Sequence, residues 1–471
     1  MELRLKFGNN LLATAVPDLA LEKTKGKPGS QFAELHARHI ATLQKPVDIL
    51  TQALERPLGC HPFDQVFRGS RNVLIVAPEP AEASSGAEYY LPLLRERLRR
   101  LHVPNEAIRI LIAKSAATPL PLSAPANDYA ALMGEKVRIH RHDPDDAKAL
   151  EYVGITRRGT PVFINRLILD ADEVIFCGSV AHHPFAGYGG GPRLLVPGCA
   201  GQETIARHYA LAIDLEALRL HPRCRDGVVE GNPLQEDARE AFRFISASFL
   251  LHTVFNDQGQ MIGAVAGEPL QAFAAACRTL DDMLLAPVAQ PAALVIVSGG
   301  GFPFDRDFRS AHAALYRASQ VVCPGGVIIF VAECGNGLGS PALSRWLEEA
   351  TNGVETGTPF LPGHPGQDWR SLYHRAFHRV DADALIALST LQKAREVRII
   401  AVTTLEDAMA RRWGFTPVPS LSEALALATS WLKMPQGSSN GPIGLPAQKL
   451  LQDNFSALVI PNGTLVIPYL H

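Results

Sequence analysis

Short, wholly apolar runs separated by amphipathic stretches dominate this chain. In the first half, Asn72–Ala77 (NVLIVA), Ile108–Ala113 (IRILIA), Val137–His142 and Val174–Cys177 read as buried strands. A strand covered on both faces has no reason to alternate apolar with polar residues, so such runs point to a parallel sheet. Ala292–Ser298 (AALVIVS), Gly326–Ala332 (GVIIFVA) and Val397–Thr403 repeat the pattern in the second half. Between the runs, Tyr89–Leu101 carries an apolar stripe with arginines on its wet face, and Glu268–Leu284 is a long apolar-striped helix. Phe308–Ser319 and Ser422–Leu432 predict further helices, Pro46–Leu54 a short one, and Pro233–Leu251 reads as helical. Strand alternating with helix predicts open, largely parallel α/β sheets with ligands at the strand ends.

The remaining segments punctuate that pattern. Leu3–Pro17 predicts a hairpin turning at Gly8-Asn9-Asn10, and Lys23–Phe32 a polar loop. Asn256–Gly259 predicts a tight turn, Pro287–Pro291 a boundary, and Ser456–Tyr469 a hairpin returning to either half. The expected division is an N-terminal α/β domain over 1–270, a C-terminal one over 271–455, and the tail 456–471. A length of 471 residues fits two or three cores.

Charge narrows the partners. Lys+Arg number 45 against 47 Asp+Glu, which excludes a broad footprint for nucleic acid or an anionic membrane. No apolar run is long enough for a bilayer, and the N-terminus lacks a signal-like apolar region. Seven scattered cysteines without a CxxC pair fit a reducing cytoplasm rather than a disulfide framework.

Candidate chemistry concentrates in Asp170–Tyr209. The run Val174–Cys177 ends at Gly178; His182 and His183 follow, then Gly187-Tyr188-Gly189-Gly190-Gly191-Pro192-Arg193, and later His208. Adjacent histidines on regular structure point apart, so at most one of the pair serves a given site. The glycine loop is neither a P-loop nor GxGxxG, since Pro192 falls where the third glycine would stand. Two readings stay open: tight turns feeding helices, or backbone approaching a ligand. A second glycine loop, Gly299-Gly300-Gly301, follows Ala292–Ser298, and a third spans Glu333–Gly339. Cys199 and Cys334, in glycine-rich turns, read as small buried residues rather than nucleophiles.

The order His183-Pro-Phe-Ala-Gly-Tyr-Gly-Gly-Gly-Pro-Arg193, then Pro197-Gly198-Cys199-Ala200-Gly201, Glu203-Thr204-Ile205 and His208, resembles the lactate racemase family. The likeness extends over most of the chain. It includes Phe7-Gly8, Pro57-Leu58-Gly59, His142-Asp143 and Gly159-Thr160-Pro161. In the second half it includes Gly299-Gly300 with Pro303 and Asp305, Pro324-Gly325-Gly326, and Glu333-Cys334 with Gly337 and Gly339. The resemblance implies two mostly parallel α/β domains with an active-site cleft between them, and a nickel-pincer nucleotide as cofactor. The substrate it implies is a 2-hydroxyacid, racemised by hydride transfer from the α-carbon to the pincer. A base is then needed on each face of the substrate. His183 matches one of two catalytic histidines, and His208 stands where a nickel ligand is expected. Gly187, Gly189, Gly190, Gly191, Arg193, Gly299 and Gly300 are the expected cofactor-binding positions.

The chain departs from that pattern where chemistry is expected. The turn that should hold the second histidine reads Ser115-Ala116-Ala117-Thr118-Pro119. Arg193 replaces the cofactor-anchoring lysine, and a guanidinium cannot substitute for an amine in a covalent link. Ala77-Pro78-Glu79-Pro80 replaces an Asp-x-x-Arg, while Ser310 and Ala313 replace a glutamine and a lysine. Two functions therefore stand side by side. One is a racemase or epimerase holding the pincer non-covalently, with His182, His312 or His140 as replacement bases. The other is a non-catalytic homologue that binds a small anionic ligand or a partner. In both, the ligand is a hydroxyacid or another small carboxylate, and Arg193 is expected to meet an anionic group.

Overall fold

The structure, a computed structural model, describes residues 2–15, 32–38, 40, 42–79, 86–114, 129–351, 369–433 and 457–470. The apolar runs become two six-stranded sheets. The first has the order Met261–Gly267, Phe249–Phe255, Glu173–Ser179, Val73–Ala77, Ile108–Ile112, Arg138–Arg141; only the edge pair Phe249–Phe255 with Met261–Gly267 is antiparallel. The second has the order Phe415–Pro417, Arg398–Val402, Val322–Val331, Ala292–Ser298, Ala457–Ile460, Phe32–Glu34 and is parallel throughout. The chain is thus the α/β protein with mostly parallel sheets that its pattern predicts.

The unbroken apolar runs are explained by packing on both faces. Val73 and Ile75 join the helices Pro46–Glu55 and Ala87–Arg100, through Leu50, Leu54, Leu94 and Leu98. Their neighbours Leu74 and Val76 point the other way, onto Ala272, Phe273 and Ala276 of the helix Pro269–Leu284. A fully buried Val, Leu or Ile contributes about 1.5–3 kcal/mol. A one-residue slip would swap the two sets between cores, so register is firmly specified.

Three expectations are corrected. The helix from Pro233 ends at Phe242, and Phe249–Phe255 is instead a strand, buried at all seven positions, beside Glu173–Ser179. An apolar run of that length fits helix or strand locally; the open edge of Glu173–Ser179 decides. The tail is not a hairpin. Ala457–Ile460 pairs in parallel with Ala292–Ser298, and Ile467–Leu470 pairs in parallel with Leu285–Val288. The division at 270 also fails at both ends. Leu3 and Leu5 of the first hairpin pack on Leu294 and Ile296 of the second sheet, and the helix Pro269–Leu284 belongs to the first core. The hairpin itself forms as expected, pairing Glu2–Phe7 with Asn10–Ala15. The Lys23–Phe32 loop lies, except for Phe32, outside the described residues, as do Ser115–Pro119 and Pro80.

One core crosses between the halves. Val295, Val297, Ile328 and Phe330 of the second sheet share a cluster with Phe185, Ala186, Tyr209 and Leu234 of the first half. The histidine and glycine segment therefore lies on the seam, with one core on each side of it.

Candidate functional site

The strand Glu173–Ser179 delivers the segment to the seam, where Ala181–His183 and Gly187–Gly189 form a short antiparallel pair. His182 and His183 point apart, as strand neighbours must. His182 is buried and its Nε2 lies 2.8 Å from Asp281, whose other oxygen accepts from the Tyr188 hydroxyl at 2.7 Å. That ties the segment to the helix Pro269–Leu284 and leaves His182 a structural role. His183 is half-buried and turns back on its own loop: the N–H groups of Phe185 and Ala186 donate to its Nδ1 at 3.2 and 3.1 Å. Burial, then the charges of Arg193 and Arg317, hold its pKa well below the ordinary histidine value.

The glycines of this loop are required by the protein's own atoms. A Cβ on Gly187 (φ +79) would lie 2.1 Å from the carbonyl oxygen of Val228, and one on Gly191 (φ +54) 2.4 Å from the Phe273 ring. Gly190 is closed off by Ser179 and His252. His252 was not singled out from sequence. Buried, it donates from Nδ1 to the Leu251 carbonyl and accepts the Gly191 N–H at Nε2, 2.6 Å away. These contacts account for the expected cradle at Gly187, Gly190 and Gly191 by internal packing, while a Cβ on Gly189 would meet only the Ala181 carbonyl oxygen, at 3.8 Å.

Arg193 follows at once, on the short helical turn Gly191–Leu194, and is only 7 % exposed. Its Nη1 lies 3.4 Å from Nε2 of His208, and its Nη2 donates to the Tyr209 hydroxyl at 3.4 Å. Among the described residues no carboxylate pairs with it. His208, on the helix Gln202–Ala210, is wholly buried, not a surface histidine. Its Nδ1 donates to Asp237 at 2.8 Å, and the Thr156 hydroxyl donates to the other oxygen of Asp237 at 2.6 Å. Burial opposes ionisation of Asp237, but the His208 and Thr156 hydrogen bonds outweigh it and hold its pKa low. Burial keeps His208 neutral in turn. The proton on Nδ1 therefore leaves the Nε2 lone pair facing the guanidinium.

Asp237 arrives here because Asn232 caps its helix, accepting from the N–H groups of Leu234 and Gln235, with Pro233 at the first helical position. One signal in the sequence pointed to it: an acid on the apolar stripe formed by Leu234, Ala238 and Ala241.

Other candidates are not drawn in. The space beside Gly300 is taken by Asn462 and that beside Gly301 by Lys6, while Thr464 donates to the Gly299 carbonyl. The tail thus covers the second glycine loop. A cavity of about 30 Å³ is lined by His182, Asn256, Arg317 and Thr464. It has room for water, against the roughly 300 Å³ or more that a ligand pocket needs. His312 packs on Phe185 in the seam, its ring 5.9 Å away, and burial lowers its pKa to about 3. His140 stands on the far edge strand of the first sheet. Cys199 and Cys334 are buried with their thiol pKa values pushed up by burial, so neither is a nucleophile.

Two mostly parallel sheets sharing a core, with a histidine, glycine and arginine segment on the seam, define a two-unit α/β protein. A family model described as the lactate racemase N-terminal domain matches residues 22–219, and one described as its C-terminal domain matches 288–362. The chain belongs to the lactate racemase family. It is 27% identical over 350 residues to the lactate racemase of Thermoanaerobacterium thermosaccharolyticum, covering 74% of this chain and 78% of that one. To the lactate racemase of Lactiplantibacillus plantarum it is 26% identical over 360 residues, covering 75% and 82%. The solved apoprotein of the former shares the fold over 100% of both chains, with a TM-score of 0.78 at 24% identity. A Thermotoga maritima protein shares it over 90% of this chain and 98% of its own, with a TM-score of 0.57 at 17% identity.

The residues present do not fit the nickel-pincer nucleotide that the resemblance implies. Position 193 offers no amine for a covalent link, and the Nε2 lone pair of His208 faces a fixed positive charge.

Proposed function

We propose that the chain binds a small carboxylate anion, a hydroxyacid or a close relative, with Arg193 as its anchor and without a lysine-tethered cofactor. The state of Arg193 carries this reading. A guanidinium taken out of water without a counter-ion is costly, and a carboxylate matched to its planar fork offsets that cost. The two contacts at 3.4 Å are neutral and long, so they compensate it poorly. Racemisation would need a base on each face, and the turn expected to supply the second has alanine at Ala117.

One observation favours the other reading, a racemase or epimerase of a 2-hydroxyacid using a non-covalently held nickel-pincer nucleotide. Asp237 holds the proton of His208 on Nδ1 and leaves the Nε2 lone pair free of one, as carboxylates orient metal-binding histidines. Calorimetric titration with D- and L-lactate separates the two when combined with metal analysis of protein made in cells that synthesise the pincer. The anion-binding reading expects binding that weakens at least tenfold in Arg193→Met, and no bound nickel. Stoichiometric nickel with turnover of lactate would replace it by the racemase reading.

A further inference from the structure

His183 is the family's surviving catalytic histidine, and its surroundings fix which ring nitrogen carries the proton. A general base toward a substrate hydroxyl presents a lone pair at Nε2, so its Nδ1 must carry the proton and donate. Here the Phe185 and Ala186 N–H groups both aim at Nδ1. A proton there would confront two donors and leave both amides without an acceptor inside the seam. The hydrogen-bond network therefore assigns the proton to Nε2. Arg193 and Arg317 lie close enough for their charges to act on the ring, and both disfavour an imidazolium. A neutral donor beside cationic groups attracts oxygen lone pairs; it does not take protons.

We infer that His183 serves the anion site as a neutral Nε2–H donor, and that the ligand it reads is a 2-oxo acid in preference to a 2-hydroxyacid. The inference rests on the anion-binding reading above and names its ligand class. The oxygens of a 2-oxo acid only accept, which matches two donors, the Arg193 fork and the His183 Nε2–H. A 2-hydroxyl adds a proton that needs an acceptor, and the one ring lone pair of the group, Nε2 of His208, already faces Arg193. The family's base is thus turned into a reader of the oxidised partner of the same substrate pair.

Titration of the full chain with pyruvate, L-lactate and propionate tests this. Pyruvate is expected to bind about tenfold more tightly than lactate, the scale of one hydrogen bond. His183→Gln, which keeps an N–H donor near the Nε2 position, should hold most of that preference, and His183→Leu should abolish it. Nitrogen-15 spectra of the wild-type ring at neutral pH should show the Nε2–H tautomer, whatever the variants do. A proton on Nδ1, or lactate binding as tightly as pyruvate, overturns the inference alone. Failure of all three acids to bind the wild type overturns the anion-binding reading and this inference with it.

Discussion

Arg193 and Arg317 are both buried in the seam, and they differ in what they meet. Arg317, 3 % exposed on the helix Phe308–Ala318, makes a two-pronged pair with Asp226 of the first half at 3.1 and 2.9 Å. It also donates to the tail carbonyls of Gly463 and Thr464. Beside it the Tyr316 hydroxyl donates to the Cys224 carbonyl at 2.8 Å, so one helix turn fastens both halves and the tail. Arg193 has only a ring nitrogen and a phenol, each at 3.4 Å. A buried cation whose donors are spent on the protein is structure, and one whose donors are not is where the proposed ligand is expected.

The largest effect should come from breaking the satisfied pair. Arg317→Met leaves Asp226 buried without its cation, and a loss of about 3–5 kcal/mol in urea unfolding is expected. Adding Asp226→Asn should recover part of it. A loss below about 1 kcal/mol would mean that the lock does not hold the seam, and the contrast with Arg193 would collapse.

Acid should weaken the Arg193 region through His252, which backs it. Burial holds the His252 pKa at about 4, below its ordinary 6.5. The unfolded chain takes up its proton near pH 6.5 and the folded one resists until about pH 4. Stability from this group is therefore complete above pH 6.5 and is lost as pH falls toward 4, by about 3 kcal/mol. His312, lowered to about 3, acts with the same sign. Unfolding midpoints measured between pH 8 and 4 should fall along that course, and His252→Gln should flatten it. Hydrogen exchange at the Gly191 amide should quicken before that of the Val295 and Val297 amides. A midpoint that does not change across this range would contradict the assignment.

The smallest effect carries the opposite sign. Without ligand, Arg193→Met should leave stability unchanged or raise it by about 1 kcal/mol, because a buried cation with only long, neutral direct contacts is removed. Thermal unfolding without added carboxylate checks this. A loss matching that of Arg317→Met would show Arg193 to be structural.

Much of the fold was legible. Val73–Ala77, Ala292–Ser298 and Arg398–Val402 were readable as strands because continuous apolarity reports burial on both faces. Phe249–Phe255 was not, since the same composition suits a helix until a neighbouring strand edge is present. The glycine loop was legible as a close approach. That it approaches Val228 and Phe273 depends on residues about 40 and 80 positions away, which no local pattern can name. His183 and His208 were legible as a pair of candidates; Asp237, His252 and the two amides on Nδ1 of His183 were not.

By itself the sequence determined the α/β class, the family motif around His183 and His208, and the arginine at position 193 within it. These are matters of local composition and order, which burial and side-chain chemistry fix residue by residue. Only the tertiary structure decided what those residues are able to do. A histidine's proton position, and whether a buried cation is compensated, depend on which donors and charges come within a few ångströms. At this seam those partners come from both halves of the chain and its tail.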